Sequence, residues 1–130
     1  MNIGLGSRRK TILLVDSDPH ARAVLRNALE AAGFSVGEAA NAREGERTAV
    51  RIRPDAMLAD LILETADSGS AIAERLKQLG HQLPIYIVST AADALVGSVS
   101  LEDLGVSGVF LKPADPAVVI QTLKTRLAAS

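Results

Sequence analysis

The sequence of 130 residues contains no cysteine and no tryptophan, and aromatic residues make up only 2% of it. The absence of cysteine excludes disulfides, thiolate metal sites and thiol catalysis. The scarcity of aromatic side chains argues against a site that stacks a flat cofactor ring. Any chemistry is therefore expected to depend on side chains that carry oxygen or nitrogen.

The chain also lacks an excess of charge of either sign and a long hydrophobic run. Fourteen basic residues offset fifteen acidic ones, giving a formal net charge of −1. A domain that binds nucleic acid usually has a basic face, so we expect no direct nucleic-acid binding. The basic start at Arg8 precedes only four apolar residues, Ile12 to Val15, which is too short for a secretory signal, and no stretch approaches a membrane span. We therefore expect a cytoplasmic protein without membrane contact.

Residues 1–9 show no periodicity and are predicted to form a flexible tail, so the folded domain is expected to span residues 10–130. From Lys10 onward, short apolar runs alternate with segments of helical spacing. The predicted strands are Thr11–Val15, Phe34–Glu38, Ala56–Ala59, Ile85–Val88 and Val109–Leu111.

Five helices are predicted between and after these strands. The first has Asp18 as its N-cap, Pro19 at its first helical position and Gly33 at its end. The second begins with the capping-box spacing of Asn41 and Glu44. The other three are predicted at about 70–79, 93–104 and 115–127.

Alternating strands and helices indicate right-handed βαβ units and an α/β fold with a parallel sheet. Five such units predict a doubly wound, five-stranded sheet in the order 2-1-3-4-5, with helices on both faces. This arrangement is the three-layer sandwich of flavodoxin-like folds.

Polar side chains follow four of the predicted strands, at the edge of the sheet where ligands bind in such folds. Carboxylates without a nearby cysteine or histidine suit a hard cation such as Mg²⁺, which takes carboxylates, waters and phosphate oxygens as ligands. A carboxylate can also accept a phosphoryl group while a lysine and a metal ion neutralise the developing charge. The residues concerned are Asp16, Ser17 and Asp18 after strand 1, Asp60 after strand 3, Ser89 and Thr90 after strand 4, and Lys112 after strand 5.

Each of these residues also has a purely structural explanation. Asp18 before Pro19 is better explained as a helix cap than as a ligand. Asp16 could simply end a strand, and Lys112 could belong to a turn. Asp60 is harder to explain in this way, because it interrupts an apolar run and a buried carboxylate lowers stability unless something pairs with it.

Four motifs in this order resemble the receiver domain of bacterial response regulators. The resemblance covers about residues 10–129. It rests on Ile12–Pro19, Pro54–Leu61 with Asp67 and Gly69, Pro84–Ser89, and Lys112-Pro113, whose peptide bond is often cis in that family.

The resemblance implies a role for individual residues. Asp60 would be the phosphorylated aspartate, Asp16 an acid of the metal site, and Ile62 a metal ligand through its backbone carbonyl. Ser89 would be the switch hydroxyl and Lys112 would contact the phosphoryl group. The implied cofactor is Mg²⁺, and the implied activity is that of a phosphoacceptor rather than an enzyme.

Three positions depart from the family pattern, one of them Glu64, where a proline is common. The usual second acid of the metal site falls on Ser17, whose hydroxyl is a poorer Mg²⁺ ligand than a carboxylate, so weak binding is expected. Asp18 could compensate only by a change of register. The usual aromatic switch residue falls on Val109, and the adjacent Phe110 would point to the opposite face of the strand.

The main hypothesis is a phosphoacceptor in a two-component phosphorelay. Its partners would be a histidine kinase or phosphotransfer protein and a downstream protein target, with possible dimerisation through helix 4, strand 5 and helix 5. A degenerate receiver that acts as a phosphorylation-independent interaction module is the alternative, supported by Ser17 and Val109. A phosphatase of the haloacid-dehalogenase type would use Asp16 and Asp18 but leaves Asp60 unexplained.

Overall fold

The computed structural model describes residues 9–60, 83–89 and 106–128. The predicted tail up to residue 8 and the helices predicted at 70–79 and 93–104 lie outside these residues, as do Ile62 and Thr90. The described elements are β1 (Thr11–Val15), α1 (Pro19–Ala31), β2 (Ser35–Ala39), α2 (Ala42–Ile52), β3 (Ala56–Asp60), β4 (Ile85–Ser89), β5 (Gly108–Leu111) and α3 (Pro116–Ala128).

The five strands form one parallel sheet in the order β2-β1-β3-β4-β5, as the sequence predicts. Strand β1 pairs with both β2 and β3, and β3 also pairs with β4, so the ends of β1 and β3 lie at the centre of the sheet. Because all strands run the same way, the residues that follow them meet at one edge. We call this edge the carboxyl edge and the opposite one the amino edge.

The sheet has a hydrophobic core on each face, which confirms the predicted layering. One core joins Leu13, Val15, Met57 and Ile87 to alanines of α2. The other joins alternate strand residues to apolar residues of α1 and α3. Helix α2 therefore covers one face, and α1 and α3 cover the other.

The helix ends follow the local signals in the sequence. Asp18 caps α1 by accepting a hydrogen bond from the backbone N–H of His20, at 2.9 Å. Asn41 caps α2 by accepting from the backbone N–H of Glu44, while the Glu44 carboxylate accepts from that of Ala40. The Glu44 side chain thus reaches one residue beyond the usual position in a capping box.

The strand boundaries differ slightly from the predicted ones. Strand β2 begins at Ser35 because the N–H of Phe34 is used by the carbonyl of Leu29, in a turn that contains Gly33 at φ +102°. Strands β3 and β4 each extend one residue further than predicted, to Asp60 and Ser89, because these residues still align with neighbours in the next strand.

Each helix within residues 9–60, 83–89 and 106–128 is too short or too polar to serve as a membrane span.

Candidate functional site

Three of the predicted site residues meet at the carboxyl edge of the sheet. Asp60 is the last residue of β3, Asp16 follows β1, and Lys112 follows β5. The Lys112 ammonium donates a hydrogen bond to Oδ2 of Asp60 at 2.8 Å, although the two residues are 52 positions apart. The Asp60 side chain is only 8% exposed, so this ion pair supplies the partner that a buried carboxylate requires.

The charges at this edge influence one another. Burial raises the pKa of Asp16, and the negative charge of Asp60 raises it further, while the hydrogen bond from the backbone of Asp18 and the charge of Lys112 oppose the rise. For Lys112, partial burial alone would lower the pKa. The hydrogen bond and charge of Asp60, together with Asp16 and Asp18, outweigh that effect and raise it. Two carboxylates and one ammonium therefore share a site with a deficit of positive charge.

The loop after β1 separates two aspartates with different roles. The Asp18 carboxylate is used as the cap of α1. The Asp16 carboxylate accepts the backbone N–H of Asp18 through Oδ1, at 2.8 Å, and lines a small cavity together with Asp60. The structure thus supports the prediction that Asp18 is a cap, and it places Asp16 in the site.

The donor set fits a small hard cation in its chemistry. Within residues 9–60, 83–89 and 106–128, no group of three or more histidine, cysteine, aspartate or glutamate side chains is arranged to hold a metal ion. Asp16 and Asp60 nevertheless supply two carboxylates near each other, and Mg²⁺ usually takes only one or two from the protein and completes its shell with water. Ser17 is exposed beside Asp16 and brings no charge.

The structure describes three further positions that the sequence analysis singled out. Ser89 ends β4 and aligns with Leu111 of β5, but the structure describes only its backbone. Val109 packs against the core on the α2 side, whereas Phe110 packs on the other face with its ring 5.3 Å from that of Tyr86. The prediction that Phe110 points away from the face of Val109 is therefore confirmed.

The peptide bond between Lys112 and Pro113 is cis, as the family resemblance implies.

One group of residues at this edge was missed by the sequence analysis. Arg22 of α1 donates a hydrogen bond to the backbone carbonyl of Asp16 and another to Glu38 of β2. Arg26, one turn further along α1, also contacts Glu38 and pairs with Glu30. The only local signal is the i, i+4 spacing of Arg22, Arg26 and Glu30, which is common on exposed helix faces.

Comparison with known proteins reveals related sequences over nearly the whole chain. A family model described as the response regulator receiver domain matches residues 12–124. The chain is 33% identical over 120 residues to the phosphate regulon transcriptional regulatory protein PhoB of Pseudomonas aeruginosa, a match that covers 91% of the chain and 52% of PhoB. It is 35% identical over 102 residues to the response regulator MprA of Mycolicibacterium vanbaalenii, covering 78% of the chain and 43% of MprA. The chain thus spans about half the length of the curated relatives that it matches.

Solved structures of similar fold agree with these matches. A two-component response regulator of the LuxR family from Aurantimonas sp. SI85-9A1 has a TM-score of 0.78 at 30% identity, over 94% of this chain and 87% of that one. A CheY-like response regulator receiver domain protein from Methanospirillum hungatei has a TM-score of 0.77 at 25% identity, over 94% and 96%.

Proposed function

Because the chain belongs to the response regulator receiver domain family, we propose that it is a phosphoacceptor of a two-component system, with Asp60 as the acceptor. The observation that carries the proposal is the ion pair between Asp60 and Lys112 at the carboxyl edge. In this ion pair, a buried carboxylate lies near Asp16 and next to an ammonium that can neutralise a phosphoryl group.

The chemistry follows from these positions. A carboxylate oxygen of Asp60 forms a bond to phosphorus while the bond from phosphorus to the nitrogen of a donor histidine breaks. Lys112 neutralises negative charge on the phosphoryl oxygens, and Ser89 at the end of β4 is assigned the hydroxyl that hydrogen-bonds one of them. The chain assists this transfer and its reversal but is not proposed to turn over a separate substrate. The donor is a histidine kinase or phosphotransfer protein, and we place the reaction in the cytoplasm.

Asp16, Asp60 and the backbone carbonyl of Ile62 are the groups proposed to hold Mg²⁺. When bound, the ion would supply charge neutralisation for the phosphoryl oxygens. Ser17 offers a neutral hydroxyl where the family has an acid, so we expect the affinity for Mg²⁺ to be low.

The output of the domain is proposed to be a protein–protein contact. Two of the exposed large apolar side chains belong to the consecutive elements β5 and α3: Leu111 is 54% exposed and Val118 is 51% exposed. Exposed apolar side chains mark an association site when they form one contiguous patch. We assign β5 and α3 to contact with a downstream protein or with a second copy of the chain; the helix predicted at 93–104, which belongs to the same proposal, lies outside the described residues. Direct nucleic-acid binding is not proposed.

A degenerate receiver that docks without phosphorylation is the second candidate, because Ser17 removes a charged metal ligand and Val109 replaces the aromatic switch residue. We do not propose a haloacid-dehalogenase-type phosphatase, since Asp18, its second acid, is used to cap α1.

The test is to incubate the purified protein with acetyl phosphate and Mg²⁺ and to measure its intact mass, alongside Asp60→Asn. We expect phosphorylation of the wild type and none of the variant. Labelling of both proteins would contradict the assignment of Asp60. If neither is labelled and a titration with Mg²⁺ and beryllofluoride detects no complex, the degenerate receiver is the better description.

A further inference from the structure

Arg22 links helix α1, strand β2 and the loop after β1. It lies in the first two turns of α1, and its side chain is only 17% exposed. The guanidinium donates through Nη1 to the backbone carbonyl of Asp16 and through Nε to Oε1 of Glu38, at 2.9 Å. The two contacts point in different directions, which a planar guanidinium with several fixed donors can satisfy at once.

Glu38 anchors this arrangement to the sheet. It aligns with Leu14 of β1, so its backbone is fixed by strand pairing. Its other carboxylate oxygen, Oε2, is held by Arg26. The hydrogen bond from Arg22 is the largest influence that lowers the pKa of Glu38, with Arg26 acting in the same direction and partial burial opposing both. Glu38 is therefore charged near neutral pH and neutralises Arg22.

Three hydrogen bonds, one of them from Arg22, fix the position of Asp16. Its N–H donates to the carbonyl of Ala39 at 3.0 Å, its carbonyl accepts from Arg22, and its carboxylate accepts from the N–H of Asp18. Arg22 thus contributes a side-chain hydrogen bond to the backbone of Asp16. It also lines the cavity that contains Asp16 and Asp60.

We propose that Arg22, anchored by Glu38, is a positioning residue that fixes the backbone of Asp16 and so presents its carboxylate to the cation. The proposal rests on the function proposed above. Because Glu38 balances the charge of Arg22, the loop is fixed without adding net positive charge that would repel Mg²⁺. Outer-shell groups that orient a metal ligand commonly contribute about tenfold or more to metal affinity, which is the size of effect expected here.

The position of Ser17 makes this role more important. With a neutral residue in place of a second acid, the first loop offers one charged ligand to the cation, Asp16. A ligand that is already ordered binds more tightly than one that must be ordered on binding. Preorganisation by Arg22 is thus expected to offset part of the affinity lost through Ser17.

The experiment compares Arg22→Met with Arg26→Met. Both variants keep an unbranched apolar stem and lose a contact to Glu38, but only Arg22 contacts Asp16. We measure Mg²⁺ affinity by calorimetry, thermal midpoint, and hydrogen exchange of the Asp18 amide by NMR without metal. Arg22→Met is expected to weaken Mg²⁺ binding about tenfold and to speed exchange of the Asp18 amide severalfold. Arg26→Met is expected to change the thermal midpoint but neither of the other quantities.

Arg22→Lys, which keeps the charge but lacks the forked donors, guards against misfolding of the Met variant and should behave like it in both site measurements. An unchanged exchange rate at Asp18 in folded Arg22 variants, or equal effects of the Arg22 and Arg26 variants, overturns the positioning role. Faster exchange with unchanged Mg²⁺ affinity also overturns it. If the wild type binds no Mg²⁺ at all, the metal part of the proposed function fails, while exchange at Asp18 still decides whether Arg22 orders the loop.

Discussion

Strand β3 has an aspartate at each end, and the two differ in what they contact. Asp55 precedes the strand at the amino edge; its Oδ2 accepts the backbone N–H of Thr11 at 2.7 Å, and its own N–H donates to the carbonyl of Thr11 at 2.7 Å. Asp60 ends the strand at the carboxyl edge and pairs with the Lys112 side chain.

The difference separates a carboxylate that holds two strands together from the one that we propose as the phosphoacceptor. Asp55 is hydrogen-bonded to the backbone of the neighbouring strand and so fixes the start of β1 beside β3. No step of the proposed phosphoryl transfer requires this contact to break. Asp60 faces a side chain that can move to a new charge. It also lies near Asp16, whose pKa is raised chiefly by burial and further by the negative charge of Asp60. Perturbed pKa values of this kind are typical of functional sites.

The largest effect is expected for Lys112→Met at the carboxyl edge. Without the ammonium, charge on the transferring phosphoryl group is poorly neutralised, and the rate of labelling by acetyl phosphate should fall about 100-fold. The exposed Lys124 in α3 offers the matched control, since Lys124→Met removes the same charge away from the site. Equal labelling rates in the two variants would show that Lys112 has no part in the transfer.

At the amino edge, Asp55→Ala should lower the free energy of unfolding by about 1–3 kcal/mol, because the partly buried N–H of Thr11 loses its acceptor. Labelling of Asp60 should continue at the rate of the wild type. Asp60→Asn should cost less stability, because Lys112 is 31% exposed and can be solvated, and because Asp16 loses a like charge. Urea unfolding of both variants checks this order; the reverse order would erase the distinction between the two aspartates.

Ser17→Asp sharpens the comparison by adding charge where the cation is proposed to bind. A direct carboxylate ligand should tighten Mg²⁺ binding roughly tenfold, which corresponds to about 1.4 kcal/mol. Ser35→Asp adds the same charge at the start of β2, on the amino edge, and should leave the affinity unchanged. Calorimetry at one ionic strength measures both; equal affinities for wild type and Ser17→Asp would remove Ser17 as the cause of weak binding.

The smallest effect is expected from the pH dependence of stability at Glu38. Its pKa is lowered from the ordinary value of 4.5, chiefly by Arg22, so the folded state binds the proton less readily than the unfolded state. The resulting stabilisation is present above pH 4.5 and is lost as the pH falls through the lowered pKa. For a half-exposed cluster it should amount to less than about 1 kcal/mol. Glu38→Gln should lack this component in unfolding curves between neutral and acid pH, and identical pH profiles for the two proteins would contradict the assignment.

Much of the fold was predictable because its signals are local. The cap at Asp18, the stop at Gly33 and the apolar runs each lie within a few residues of sequence, and general rules of handedness convert them into a sheet order. The ends of β3 and β4 were misplaced by one residue because they depend on pairing with residues far away in the chain, such as Asp60 with Val88.

The same distinction applies to the site, where one contact was predictable from the sequence and another was not. The meeting of Asp60 and Lys112 followed from topology, since both end strands of one parallel sheet. The contact of Arg22 with Glu38 did not, because no periodicity relates a helix residue to one 16 positions later on an edge strand. Only the packing of α1 against β2 brings these two charges together.

The most direct test of the central claim is to map the phosphorylated residue itself. The protein is labelled with acetyl phosphate and Mg²⁺, the acyl phosphate is reduced with borohydride to homoserine, and the product is located by tandem mass spectrometry. The structure leads us to expect homoserine at position 60 and at no other aspartate. Homoserine at Asp16, Asp18 or Asp55 instead would contradict the assignment of Asp60 as the phosphoacceptor.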